Sequence, residues 1–194
     1  MQEGDALLIV DVQNDFCPGG SLPVAEGDKV VPILNQYIAR FTAAGLPIFV
    51  TRDWHPEKTG HFKSGGGVWP SHCIQGTQGA EFHPDLSLSH QSVVVSKGLD
   101  PQEDSYSGFQ GTSLEGIKLA GLLRRQGVKR IFVGGLATDY CVKATVLDGL
   151  REGFEVFLLE DAIRGVDLQP GDSERAIQEM TQRGAKKSRL ERLS

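Results

Sequence analysis

Short apolar runs alternating with amphipathic helical patterns predict an α/β protein. The expected architecture is a three-layer αβα sandwich around a doubly wound, mostly parallel six-stranded sheet with helices on both faces. Three observations carry this expectation. The runs are almost uninterruptedly apolar, as strands covered on both faces must be. The segments between them place apolar residues at three- and four-residue steps. The chain of 194 residues is long enough for one domain with a real core, so a single domain over 1–194 is expected.

The predicted strands are ALLIV (6–10), PIFVT (47–51), SVVVS (92–96), RIFVG (130–134) and EVFLL (155–159). A sixth, near Lys186–Leu190, is polar enough to suit only an edge. The first helix carries Val30, Val31, Ile33, Leu34, Tyr37, Ile38 and Phe41 on one face, with Asp28 as its N-cap and Pro32 in its first turn. A second is expected to open at Thr112, with Glu115 in capping-box spacing, and to stop at Gly127. A third runs from about Asp139 to Glu152 and a fourth from about Asp172 to Arg183. The stretch 52–91 fits neither pattern; it is rich in Gly and holds Pro56, Pro70 and Pro84. Loops of that length inside a compact domain are usually functional.

Composition narrows the class. A net charge of -5 argues against a nucleic-acid footprint, and the apolar N-terminal run is far too short to span a membrane. Cys17, Cys73 and Cys141 are too few and too unevenly spaced for a disulfide framework, so reducing cytoplasm is the expected compartment. Composition gives no positive evidence for any partner, and homo-oligomerisation is left open.

In an open parallel sheet, ligands bind beyond the carboxyl ends of the strands. Asp11, Asp53, Lys97 and the stretch Ala137–Cys141 follow four successive runs there, which nominates one composite site. Cys141 is either a small core residue or a nucleophile in the first turn of a helix capped by Thr138 or Asp139. In the second case the helix N-terminus favours a thiolate and offers N–H groups to an oxyanion. Asp11 and Lys97 form either a structural ion pair or a base and its electrostatic partner. Three complementary groups on three strand ends favour chemistry.

Asp53, His55, His61 and His72 form a second constellation, in DWHPEKTGHF and PSHC. Asp-x-His on an extended segment places both side chains on one side, and imidazole with carboxylate suits Zn, Fe, Mn or Ni. With no cysteine ligand, room remains for water or substrate. His83 is a fourth imidazole, an outer group or a bystander, and His90 is a surface residue. Phe16, Trp69 and Tyr106 either wall a pocket for a flat ring or are ordinary core and loop packing residues.

Together DVQNDF (11–16), DWHPEKTGHF (53–62), WPSHC (69–73), KGLD with YSGF downstream (97–109) and GGLATDYCV (134–142) resemble the nicotinamidase/pyrazinamidase branch of the isochorismatase-like hydrolases. The resemblance runs to about Asp161; the C-terminal AKKSRLERLS carries little of it. It implies deamidation of nicotinamide to nicotinate and ammonia, with a role in NAD salvage. Asp11, Lys97 and Cys141 would be the catalytic triad, working through a thioester. A cis peptide at Leu136–Ala137 would aim the N–H groups of Ala137 and Cys141 at the oxyanion. Asp53, His55, His72 and, in the Asp-x-His-x5-His version, His61 would hold one divalent metal ion, zinc first and iron or manganese as alternatives. That ion would bind the ring nitrogen between Phe16, Trp69 and Tyr106. Tyr140 stands where some relatives carry His. A cysteine hydrolase of a carbamoyl or ureido substrate, or a non-catalytic metal- or pyridine-binding module, are the competing readings.

Overall fold

A computed structural model describes residues 1–193; Ser194, the last residue of the expected domain, lies outside the described residues. Six strands form one all-parallel sheet, β1 (Asp5–Val10), β2 (Ile48–Asp53), β3 (Val93–Lys97), β4 (Arg130–Leu136), β5 (Glu155–Arg164) and β6 (Lys186–Ser188). Their spatial order is β3-β2-β1-β4-β5-β6, so the order reverses between β1 and β4. That junction is where the sheet opens for a ligand.

Alternation along β1 divides the core. Leu7 and Ile9 pack on one face with Val30, Leu34, Tyr37 and Phe41 of α1 (Val30–Ala43). Ala6, Leu8 and Val10 pack on the other with α2 (Leu119–Arg125), α3 (Lys143–Arg151) and Met180 of α4 (Asp172–Gln182). Each fully buried Leu, Ile or Phe contributes about 1.5–3 kcal/mol, and both faces are therefore anchored by ordinary apolar burial. No helix among the described residues is long and apolar enough to cross a membrane.

Several expected details differ. The second helix does not open at Thr112. Instead Thr112 and Ser96 exchange backbone hydrogen bonds of 3.0 and 2.9 Å, so residues 112–118 fold back along β3 before α2 starts at Leu119. Pairing to a sheet edge overrides a local capping pattern there. Asp28 sits inside a single 3-10 turn preceding α1 and makes no cap. β3 is an edge strand with Val94 exposed, not a strand covered on both faces. β5 runs five residues past the predicted end: its pairing with β4 breaks after Leu158 opposite Val133 and resumes with Ile163 opposite Gly135, so the extra residues lie in β5. Gly135 has φ 122°, and a Cβ on it would lie 2.1 Å from the Val10 carbonyl oxygen. Glycine is required so that β1 and β4 can meet at the junction that carries the site.

Candidate active site

The third helix starts differently from expectation. Residues Thr138–Val142 form one π-type turn after the Leu136–Ala137 peptide, which is cis, and α3 proper begins at Lys143. Neither Thr138 nor Asp139 caps it. The Asp139 carboxylate instead accepts from the N–H groups of Val166 and Asp167, at 2.9 and 2.8 Å, tying the turn to the segment after β5. Single π turns of this kind are frequent at functional sites. Here it presents Cys141 beside the ends of β1 and β3.

Asp11, immediately after β1, has φ 49°, a left-handed conformation uncommon for a non-glycine residue. Its carboxylate lies 2.8 Å from the Lys97 ammonium, and both side chains are fully buried. Thr51 donates its hydroxyl to the other Asp11 oxygen at 2.6 Å. The Lys97 ammonium also pairs with Asp53, donates to the Ser105 carbonyl at 3.2 Å and reaches the Cys141 sulfur at 3.4 Å. One oxygen each from Asp11 and Asp53 and the Cys141 sulfur lie within 4.8 Å of one another. All three residues of the expected triad therefore meet.

The electrostatics of this cluster follow from burial. Desolvation pulls Lys97 down, but the Asp11 and Asp53 carboxylates outweigh it and hold the ammonium well above the usual lysine range. Burial raises the Asp11 carboxyl more than Lys97 lowers it. Burial opposes ionisation of Asp53 as well, yet Lys97 and His55 bring it below the usual carboxylate range. Cys141 is pushed well above a normal thiol by burial and by the two carboxylates, against Lys97. The helix N-terminus does not make a resting thiolate; the thiol keeps its proton beside a carboxyl able to receive it. An Asp11 oxygen lies within 4.8 Å of the Cys141 sulfur, which places an acceptor for that proton beside it.

The imidazoles gather on the other side of Asp53. One ring nitrogen from each of His55, His61 and His72 lies within 4.8 Å of the others, and all three residues are buried. Each Nδ1 is engaged outward: His55 with the Gly98 carbonyl at 3.1 Å, His72 with the Pro70 carbonyl at 2.8 Å, and His61 with the Asp104 carboxylate. Such outer acceptors fix the tautomer and leave each Nε2 lone pair facing the cluster. The Nε2 of His55 is buried without a partner among the described residues. The second Asp53 oxygen faces the same space, 3.7 Å from His55 Nε2 and 3.9 Å from His72 Nε2. Burial holds His72 down to about 4, so it is a neutral donor at ordinary pH. An orphaned nitrogen, the neutral His72 imidazole and an adjoining carboxylate fit a divalent transition-metal ion. His83 stands apart: its Nδ1 accepts from the Asp85 N–H within a turn.

A pocket of about 420 Å³, counting its open mouth, lies between the two clusters. Phe16, Trp69, Tyr106 and Tyr140 line it together with Asp53, His61, His72, Ala137 and Cys141. Trp69 donates its indole N–H to the Tyr106 hydroxyl at 2.9 Å and meets the Tyr140 ring edge-on at 5.0 Å. The expected aromatic wall is present, with Tyr140 as a fourth member.

Sequence reasoning missed the residues that hold these groups in place. Gln13 clasps Asp53 at both its N–H and its carbonyl, each at 2.8 Å. Asp15 accepts the Cys73 N–H at 2.7 Å, next to His72. Gly98 has φ 70°, and a Cβ there would lie 2.4 Å from the His55 ring. The adjacency of Gly98 to Lys97 was readable; the approach of His55 was not, because 43 residues separate them.

Fold and site together define a doubly wound α/β protein of hydrolase type, with a thiol, a carboxylate and an ammonium meeting at the strand ends. The isochorismatase domain matches residues 5–192, and the chain belongs to that family. It is 42% identical to the nicotinamidase of Escherichia coli K12, over 93% of this chain and 92% of that one. The pyrazinamidase of Pyrococcus horikoshii, solved in complex with zinc, superposes with a TM-score of 0.89 at 49% identity, covering 96% of this chain and 99% of that one. PnC1 of L. infantum, solved in complex with nicotinate, gives 0.86 at 36% identity, covering 97% and 94%.

Proposed function

We propose that this protein is a metal-dependent cysteine amidohydrolase that converts nicotinamide to nicotinate and ammonia through a thioester, with pyrazinamide as a second substrate. One observation carries the reading. Cys141 lies within reach of Lys97 and Asp11 in the pocket whose wall also holds His61 and His72. A zinc-bound pyrazinamidase and a nicotinate complex among the relatives support the same assignment.

The chemistry follows from the charges. Asp11 takes the thiol proton as the Cys141 sulfur bonds to the carboxamide carbon, and the carbonyl π pair moves onto oxygen. The N–H groups of Ala137 and Cys141 receive that oxyanion. Asp11 then returns the proton to the amide nitrogen, the C–N bond breaks, and ammonia leaves a thioester on Cys141. Water, losing a proton to Asp11, attacks the thioester; Asp11 returns that proton to the departing Cys141 sulfur, and the product acid loses its remaining proton to solvent as nicotinate. Lys97 stays cationic throughout and offsets the negative charge that passes between Asp11 and the sulfur. Asp53, His55, His61 and His72 would hold the ion, with zinc as the proposed metal. When bound, the ion would supply a Lewis acid for the ring nitrogen of the substrate. Phe16, Trp69, Tyr106 and Tyr140 pack the ring and exclude water.

The test is ammonia release from nicotinamide by the purified protein beside Cys141→Ala. Wild-type turnover falling by roughly 10⁴–10⁶-fold in the variant is expected. Equal release by both proteins, or none by the wild type, would refute the proposal.

A further inference from the structure

The three clustered imidazoles are not anchored alike. His55 and His72 lean on backbone carbonyls, of Gly98 and Pro70. His61 leans on a side chain, the Asp104 carboxylate, and the two are unequally placed: the His61 side chain is 4% exposed and that of Asp104 is 62% exposed. Asp104 belongs to the segment between Lys97 and Tyr106, which is stapled to the His61 turn. The Pro101 carbonyl accepts from the Gly60 N–H at 2.8 Å and from the Thr59 hydroxyl at 3.2 Å. The Ser105 carbonyl of the same segment accepts from the Lys97 ammonium, and the segment ends in the Tyr106 wall of the pocket.

We infer that Asp104 is a positioning residue for metal binding, which acts through His61 by holding its Nδ1 proton and turning Nε2 toward His55 and His72. The inference rests on the reading of His61 as a metal ligand. An imidazole with no fixed acceptor on Nδ1 divides itself between two tautomers and several ring orientations. Only one of these presents a lone pair to an ion shared with His55 and His72. A carboxylate acceptor also makes the ligating nitrogen more basic than a carbonyl acceptor does, because its charge stabilises the donated proton. Among the three anchors, Asp104 is the one that a side-chain substitution can remove without moving the backbone. Its exposure also means that removing it leaves no buried charge behind.

The experiment measures zinc affinity by competition with a chromophoric chelator, on the full-length protein freed of metal, for the wild type, Asp104→Ala, Asp104→Asn and His61→Ala. Asp104→Ala is expected to weaken zinc binding about 10–100-fold. Asp104→Asn keeps an acceptor oxygen and is expected to recover most of that loss. The slowly exchanging Nδ1 proton of His61, read by NMR, should persist in Asp104→Asn and vanish in Asp104→Ala. Equal weakening by both Asp104 substitutions would mean general attraction of cations by surface charge, and would overturn the inference. Wild-type affinity in Asp104→Ala, beside weakened binding in His61→Ala, would overturn it while leaving the ligand role of His61 intact. Unchanged zinc binding in His61→Ala, or none in the wild type, would overturn both. Unfolding curves of the metal-free proteins should coincide for the wild type and both Asp104 variants, since an exposed carboxylate contributes little to stability.

Discussion

Two clusters share Asp53 and are built in opposite ways. The Asp11–Lys97–Cys141 group stands on the ends of strands and in the turn after β4, and it is held by charge: Lys97 touches Asp11, Asp53 and the Cys141 sulfur in a fully buried space. The imidazole group stands mainly on the long connection between β2 and β3, and it is held by outward hydrogen bonds, mostly to backbone carbonyls. Strand ends are rigid because the sheet fixes them, so groups that must exchange a proton belong there. The role proposed for it, positioning a ring, needs donors at the right separation, and a loop tied down mostly by backbone carbonyls holds them there. The first cluster is therefore sensitive to the loss of any one charge. The second is sensitive to geometry and protonation.

Lys97→Met should give the largest effect. It leaves Asp11 and Asp53 buried without their cation, and unfolding free energy should fall by about 3–5 kcal/mol, measured by urea denaturation. A smaller loss in Lys97 than in His72 variants would reverse the contrast drawn between the clusters. His72→Ala should leave the fold and the Cys141 chemistry in place but misplace the ring. A fall of roughly 100-fold in kcat/KM for nicotinamide is expected, with residual turnover that chelator no longer changes.

The pH response sharpens the contrast further. In the metal-free fold His72 is held at about 4, below its ordinary 6.5. Between those values the unfolded chain binds a proton that the folded chain refuses. The contribution of His72 to stability should accordingly be constant above about pH 6.5, fall as the pH drops towards 4, and amount to about 3 kcal/mol at most over that window. His72→Gln should remove this part of the slope in thermal melts run across the window. The smallest effect is expected for Tyr106→Phe, which removes the acceptor of the Trp69 indole N–H. A hydrogen bond of this kind is worth about 0.5–1.5 kcal/mol, so KM should rise by about tenfold at most while kcat stays near wild type.

Much of the site was readable from the chain because its groups fall directly after apolar runs. Asp11, Asp53 and Lys97 each end or follow a strand, and a parallel sheet sends all such positions to one edge. The histidines were readable as a concentration in one loop and, with Asp53, as one metal-binding constellation; the outward partners of their Nδ1 atoms were not. The supporting residues were not readable. Thr51, Gln13 and Asp15 look like ordinary strand and loop residues until the fold brings them to Asp11, Asp53 and Cys73. The false helix start at Thr112 shows the converse, a sound local signal lost to pairing with Ser96.

The sequence by itself determined the class of sheet, the edge where chemistry collects and the residue types present there. Those follow from local patterning, which acts over a few residues. Only the tertiary structure decided which charges touch. Lys97 gathers Asp11, Asp53 and Cys141 across 44 or more positions of chain, and burial then sets their protonation. The state of the thiol shows the difference most plainly. A helix N-terminus alone favours a thiolate, but desolvation and the carboxylates beside it keep the Cys141 proton in place.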